Sequence, residues 1–305
     1  MAVEIATPGV DALVNYYLPN SDGSPPTTND MAVMLGQKDM ISHRMRIHDL
    51  RSEKEHYSLD RNGFQYATLH SKLTDATDDG QVREIYYKEI EELVKNVTGA
   101  KRVLVFNHAV RTKTGNEYGD QVKDRYQGVE GPAYRIHIDQ TPQGALSIAQ
   151  FMFPELAEEL QNGNFQVINV WRPLVRVQRD PLMVADTAQM PADDLLLINR
   201  VYYNGLRSSN FVIKYAGKPT APQEGTVDGY SSNGKHNWWY IEHQEPTEAL
   251  VFSSSGFRNG KAIIGTPHGS FCLPHQDQYP ARQSIECRSL FIAVKISEFP
   301  SFIPM

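Results

Sequence analysis

Cysteine is scarce in this chain: Cys272 and Cys287 are the only two in 305 residues, too few for a disulfide framework. Both read as small buried thiols near the candidate site, since a thiolate ligand is soft and favours a different metal. Long apolar runs are missing as well. None approaches the roughly 18 residues that a membrane helix needs. The N-terminus, "MAVEIATPGVDALVNYYLP", has neither the basic start nor the apolar core of a signal peptide. Positive charge is not in excess: 30 Lys and Arg stand against 36 Asp and Glu, a net charge of −6, whereas phosphate backbones call for a basic footprint. No G-x-G-x-x-G follows a strand, there is no P-loop, and no internal repeat is found. These absences lead us to expect a cytoplasmic protein with neither nucleic acid nor membrane as a partner; monomer and homodimer both stay open.

What remains is an ordinary globular composition, 40% hydrophobic and 22% charged. Its length suits one catalytic domain over residues 1–305. The polar stretch "NSDGSPPTTND" (20–30) marks residues 1–80 as an irregular arm. Helical spacing of Ile85, Ile90, Leu93, Val94 and Val97, stopped by Gly99, predicts a helix over 82–99. A second helix is expected over about 144–161, kinked or split at Pro154. The rest is short strand-like runs bounded by Gly, Pro, Asn and Asp, among them "RVLVFNHAV", "AYRIHID", "FQVINVW", "ALVFSSS" and "SLFIAVKI". The expected fold is therefore mainly β with flanking helices, a double-stranded β-helix (jelly roll, cupin-like) over about 100–298 with inserted helices.

The chemistry is carried by residues far apart in sequence. "YRIHIDQTP" holds His137 and Asp139; "IIGTPHGSF" holds His268. Side chains at i and i+2 of a strand share a face, so His137 and Asp139 can meet one ion while Ile136 and Ile138 pack behind. Two imidazoles and a carboxylate are the ligand set of a facial Fe(II) site with open positions. Shortly after His268, "ARQSIECRS" alternates Arg282, Ser284, Glu286 and Arg288 with Gln283, Ile285 and Cys287. Arg282 and Ser284 on one face can grip the far carboxylate of 2-oxoglutarate through charge-assisted hydrogen bonds; Arg288 is the alternative anchor, and a merely solvated face is the plain reading. A rival H-x-D, His275 and Asp277, lies between prolines and reads as a surface loop. In "INVWRPL", Asn169 and Trp171 share a face and can contact the co-substrate, although core packing serves Trp171 as well. Arg172 and, in "FNHAVRT", Arg111 are candidate substrate contacts, with His108 nearby. The aromatics of "NWWYIEH" read as core.

Taken together, "HDLRSEKEHYSLDRNGF" (48–64), "YRIHIDQTP" (134–142), "INVWRPL" (168–174), "GTPHGSF" (265–271) and "RQSIECR" (282–288) resemble the fungal gibberellin-desaturase-like family, which includes hydroxylase/desaturases of the AsaB type. The resemblance runs from about residue 45 to the C-terminus. It implies Fe(II) held by His137, Asp139 and His268, 2-oxoglutarate anchored by Arg282 with Ser284, O2 as the second co-substrate, and a small natural product hydroxylated, desaturated or cyclised. Two alternatives stay open at this stage: a redox-neutral, isomerase-like enzyme on the same fold, and a non-catalytic jelly-roll partner subunit.

Overall fold

The computed structural model describes residues 8–18, 20–22, 40–113, 131–202, 205–215 and 236–292. Its strands form two sheets. One has the order β1-β2-β10-β7-β13-β5-β9-β8: β1 Gly9–Tyr17, β2 Met40–Asp49, β5 His137–Ile138, β7 Leu182–Ala185, β8 Leu195–Val201, β9 Arg207–Ile213, β10 Trp238–Tyr240 and β13 His268–Ser270. The other runs β12-β11-β6-β14-β4: β4 Arg102–Arg111, β6 Phe165–Pro173, β11 Glu248–Arg258, β12 Lys261–Ile264 and β14 Ser284–Ile292. In this second sheet β3 (Phe64–Thr68) pairs with the first half of β11 and β12 with its second half, on either side of a bulge at Ser253/Ser255. Apart from the short parallel pairing of β10 with β2, the ladders are antiparallel. Two such sheets face to face, with a site between them, are the jelly roll that the sequence predicts.

The expected irregular arm over 1–80 is corrected for the described residues. β1 and β2 form a hairpin at one end of the larger sheet. That sheet curls until Asn15 and Tyr17 bridge to Arg135 and Lys214. Inside the curl, Ala12, Val14 and Tyr16 of β1 pack with Ile47, Ile136, Ile138, Met183 and Trp238. The period-two burial of Ala12, Val14 and Tyr16 was available in the sequence, but the polar stretch that follows overshadowed it. Residues 23–30 of that stretch lie outside the described residues.

Helices close the smaller sheet. A π-turn (Val82–Tyr86) leads into α1 (Tyr87–Thr98), which ends at Gly99 with φ 72° as its N–H returns to the Lys95 carbonyl at 2.8 Å. Tyr86, Ile90 and Val94 cover Ile168, Val170, Ile285 and Cys287, the outer face of β6 and β14. With helix on one side and sandwich interior on the other, β6 is buried at every residue. The second expected helix is split, as Pro154 suggested. α2 (Pro142–Met152) starts at Thr141, whose Oγ accepts from Gly144 N at 2.9 Å. Phe153 then leaves helical geometry ahead of Pro154, and after one 3-10 turn α3 (Ala157–Gln161) follows. No helix among the described residues is long and apolar enough to cross a membrane.

Candidate metal centre and anion cleft

The larger sheet brings His137 and His268 side by side. They are direct partners across β5 and β13, with ring centroids 4.5 Å apart. Asp139 lies one residue beyond the end of β5 and still turns to the same side. Ile136 and Ile138 pack on the opposite face, as strand alternation requires. His137 Nε2 and His268 Nε2 lie 3.3 and 3.9 Å from Asp139 Oδ1. Among the described residues these three form the one group with donor atoms gathered as a metal needs, all within 4.8 Å.

Hydrogen bonding shows why this set suits a cation. His137 Nδ1 lies 2.8 Å from the Arg135 carbonyl, and His268 Nδ1 3.0 Å from the Thr266 carbonyl. A carbonyl only accepts, so each Nδ1 carries the proton and each Nε2 is left with a lone pair. Such a backbone contact is also how metal-ligating imidazoles are oriented. Burial, aided by the neighbouring His137, pulls His268 down to about 4, so it is neutral. Burial alone would raise Asp139. The charge of Arg288 instead holds its carboxyl well below the ordinary range. Two imidazole lone pairs and a carboxylate oxygen therefore converge with no donor among them. A divalent metal ion resolves that arrangement.

Across the cleft, β14 and β4 supply cations. Arg111, Trp171, Arg282, Glu286 and Arg288 line the same cavity as His137, Asp139 and His268, together with Leu182, Gly269 and Ser270. Arg282 is buried. Its Nη1 donates to the Asp180 carbonyl at 2.6 Å and to Ser270 Oγ at 2.8 Å, and its guanidinium lies over the Trp171 ring at 5.3 Å. Its Nε has no partner, and neither does the buried Ser284 Oγ. Burial, and then the like charge of Arg111, bring Arg282 down to about 10, so it remains a cation at neutral pH. A buried cation with a spare donor matches a carboxylate; Ser284, two residues on, is not among the residues that line the cavity. The donor set thus fits both groups that the sequence implied, the metal and an anionic co-substrate.

Other candidates fall elsewhere. Arg288 and Asn169, considered for the co-substrate, reach Asp139 Oδ2 instead, Arg288 from Nε at 3.0 Å and Asn169 from Nδ2 at 2.7 Å. Arg288 Nη2 also pairs with Glu286 Oε1 at 2.8 Å. Arg288 is partly exposed, so losing one partner of the pair costs less than the about 3–5 kcal/mol of a fully buried one. Arg172 is a correction. Strand alternation points Trp171 into the cleft and Arg172 out of it, where Nε donates to Tyr86 Oη at 3.2 Å and the guanidinium lies over the Tyr86 ring. His108 likewise faces outward, 2.9 Å from Tyr87 Oη. His275 and Asp277 lie exposed at a 3-10 turn, as the loop reading expected. Trp238 and Tyr240 are core. Cys287 is buried behind β14, whereas Cys272 is exposed, contrary to expectation. Ser270 and the Asp180 carbonyl, which hold Arg282, were missed. A backbone carbonyl carries no sequence signal, and Ser270 only two residues after His268 could have been noticed by alternation.

A jelly roll with two imidazoles and one carboxylate at one point of its interior, facing a buried arginine, defines a class: the non-haem metal-dependent oxygenases. Comparison with known proteins agrees. Residues 14–292 match the family described as Oxidoreductase/YMDC permease-like domain. An oxidoreductase of Emericella nidulans is 78% identical over 86% of this chain and 88% of its own length. The alpha-ketoglutarate-dependent dioxygenase phiK of a fungal species is 33% identical over 95% of this chain and 99% of its own. Fungal proteins named hydroxylase/desaturase and gibberellin cluster desaturase belong to the same set. Among solved structures, an iron and alpha-ketoglutarate-dependent endoperoxidase, NvfI, superposes with a TM-score of 0.72 at 22% identity, covering 94% of this chain and 99% of that one; this likeness shows the fold. The chain belongs to this fungal family of Fe(II)/2-oxoglutarate-dependent dioxygenases and is an oxidoreductase.

Proposed function

We propose that the protein oxidises an unactivated C–H bond of a small natural product in fungal secondary metabolism, by hydroxylation, desaturation or oxidative cyclisation. His137, Asp139 and His268 would hold Fe(II), and Arg282 with Ser284 would grip the distal carboxylate of 2-oxoglutarate. The observation that carries this reading is the pairing, in one cleft, of three converging lone pairs with a buried arginine that has an unused donor. When bound, iron with 2-oxoglutarate and O2 supplies the oxidising power, releasing succinate and CO2.

The chain's own residues bind, orient and exclude water. The two backbone-locked imidazoles fix the metal's position relative to the sheet. Arg282, seated on Trp171 and held by Ser270 and the Asp180 carbonyl, sets the distance between metal and carboxylate anchor. Leu182 and Trp171 supply apolar wall. Arg111 lines the same cavity and adds a second cation for an acidic group of either ligand. One catalytic domain acting as a monomer or homodimer in the cytoplasm is part of the same proposal. The test is succinate release from 2-oxoglutarate, screened against small molecules. Stimulation that requires Fe(II) and is lost in Asp139→Ala supports the reading; turnover without succinate overturns it.

A further inference from the structure

The two oxygens of Asp139 are treated differently by the fold. Oδ1 faces His137 Nε2 and His268 Nε2 at 3.3 and 3.9 Å. Oδ2 receives two donors from the opposite sheet, Asn169 Nδ2 at 2.7 Å and Arg288 Nε at 3.0 Å. Those donors sit opposite each other in register on β6 and β14. Arg288 is fixed in turn by Glu286 Oε1 at 2.8 Å and by Asn107 Oδ1 at 3.3 Å on β4. The strand register slips immediately after it, between Arg288 and Ser289.

We propose that Asn169 and Arg288 are positioning residues that hold Oδ2 off the metal, so that Asp139 ligates through Oδ1 alone. This rests on the iron and 2-oxoglutarate reading above. A carboxylate can bind a metal through one oxygen or two, and a facial site works because it leaves positions open. If Oδ2 swung onto the metal it would take one of the positions needed by 2-oxoglutarate and O2. Two hydrogen bonds, one charge-assisted, keep it where it is. A guanidinium anchored from both flanks cannot follow the carboxylate if it turns.

The test uses the full chain with Mn(II) in place of Fe(II). Crystal structures of the Mn(II) complex are compared for the wild type, Asn169→Ala, and the double variant Arg288→Met with Glu286→Gln, which removes both buried charges together. The expected result is Oδ1 alone on Mn(II) in the wild type and both oxygens in at least one variant. In that variant calorimetry should show 2-oxoglutarate affinity of the Mn(II)-loaded protein falling on the order of tenfold, while the second carboxylate oxygen gained by the metal offsets the Mn(II) affinity that losing an outer-shell partner otherwise costs. A merely structural role would weaken both together. The proposal is overturned if Oδ2 ligates Mn(II) in the wild type or stays off the metal in both variants. Should neither variant fold, the milder Asn169→Ser is judged by the same two criteria. If the wild-type Mn(II) protein binds no 2-oxoglutarate, the functional reading fails, and the crystal structures still judge the carboxylate.

Discussion

The two walls of the cleft are finished to different degrees. On the larger sheet every ligand atom not aimed at the metal position is already used: both Nδ1 atoms bond backbone carbonyls and Asp139 Oδ2 takes two donors. On the smaller sheet Arg282 Nε and Ser284 Oγ are buried with nothing to bond. Buried polar groups left unpaired cost free energy, and an anion bound at the second wall would offset that cost. The metal wall is thus preorganised around lone pairs, whereas the anchor wall stores unmet hydrogen bonds for an anion. On the proposed reading, the difference separates a resident ion from a co-substrate that comes and goes with each turnover.

The largest way to break this comparison is at the metal wall. Asp139→Ala or His268→Ala should cost more metal affinity than the about 10–100-fold typical of losing an outer-shell partner, and turnover should vanish. Calorimetry with Mn(II) checks the first, and a thermal melt should show the fold intact; substantial residual activity would sink the ligand assignment. Next comes Arg282→Lys. An ammonium cannot reproduce the guanidinium fork, and one charge-assisted hydrogen bond is worth roughly 1.5–3 kcal/mol. The 2-oxoglutarate requirement should therefore rise by roughly ten- to a hundredfold, with Mn(II) affinity unchanged. An equal loss of metal binding would show that the walls do not act separately.

Much of this was legible in the sequence, for identifiable reasons. The metal set could be read because strand alternation fixes His137 and Asp139 on one side, and the β14 row could be read because Arg282 to Arg288 alternates with Ile285 and Cys287. Roles within the row were harder. Arg282 and Arg288 look alike in a strand pattern, and only their hydrogen bonds show that one is held by Ser270 and the Asp180 carbonyl while the other reaches Asp139. Arg172 was misplaced by being adjacent to Trp171, although alternation sends neighbours to opposite faces. β1 and β2 pair with each other across the polar stretch that overshadowed the period-two pattern of β1. Their place in the sheet was not legible, because the segments they meet in turn, β10 and the bridge at Arg135, are distant in sequence.

The smallest effects sharpen the comparison most. Ser284→Ala removes one hydroxyl donor and leaves the Arg282 charge in place, so 2-oxoglutarate affinity should fall by about tenfold, the low end of what roughly 1.5–3 kcal/mol allows. The ligand-free protein should not lose stability, because a buried hydroxyl without a partner is itself a cost. Arg172→Met should give the converse. It lies on the far face, bonded to Tyr86 and the Pro246 carbonyl, so its loss should lower the melting temperature without moving 2-oxoglutarate affinity. Melting curves with and without 2-oxoglutarate on the Mn(II)-loaded protein read both variants at once, since a ligand that binds only the folded state stabilises it by RT ln(1 + L/Kd), L being the free ligand concentration. The added stabilisation should shrink for Ser284→Ala from an unchanged baseline and stay full for Arg172→Met from a lowered one. If Ser284→Ala instead lowers the baseline and keeps the full ligand shift, then Ser284 supports the strand rather than the anion, and Arg282 holds the co-substrate without it.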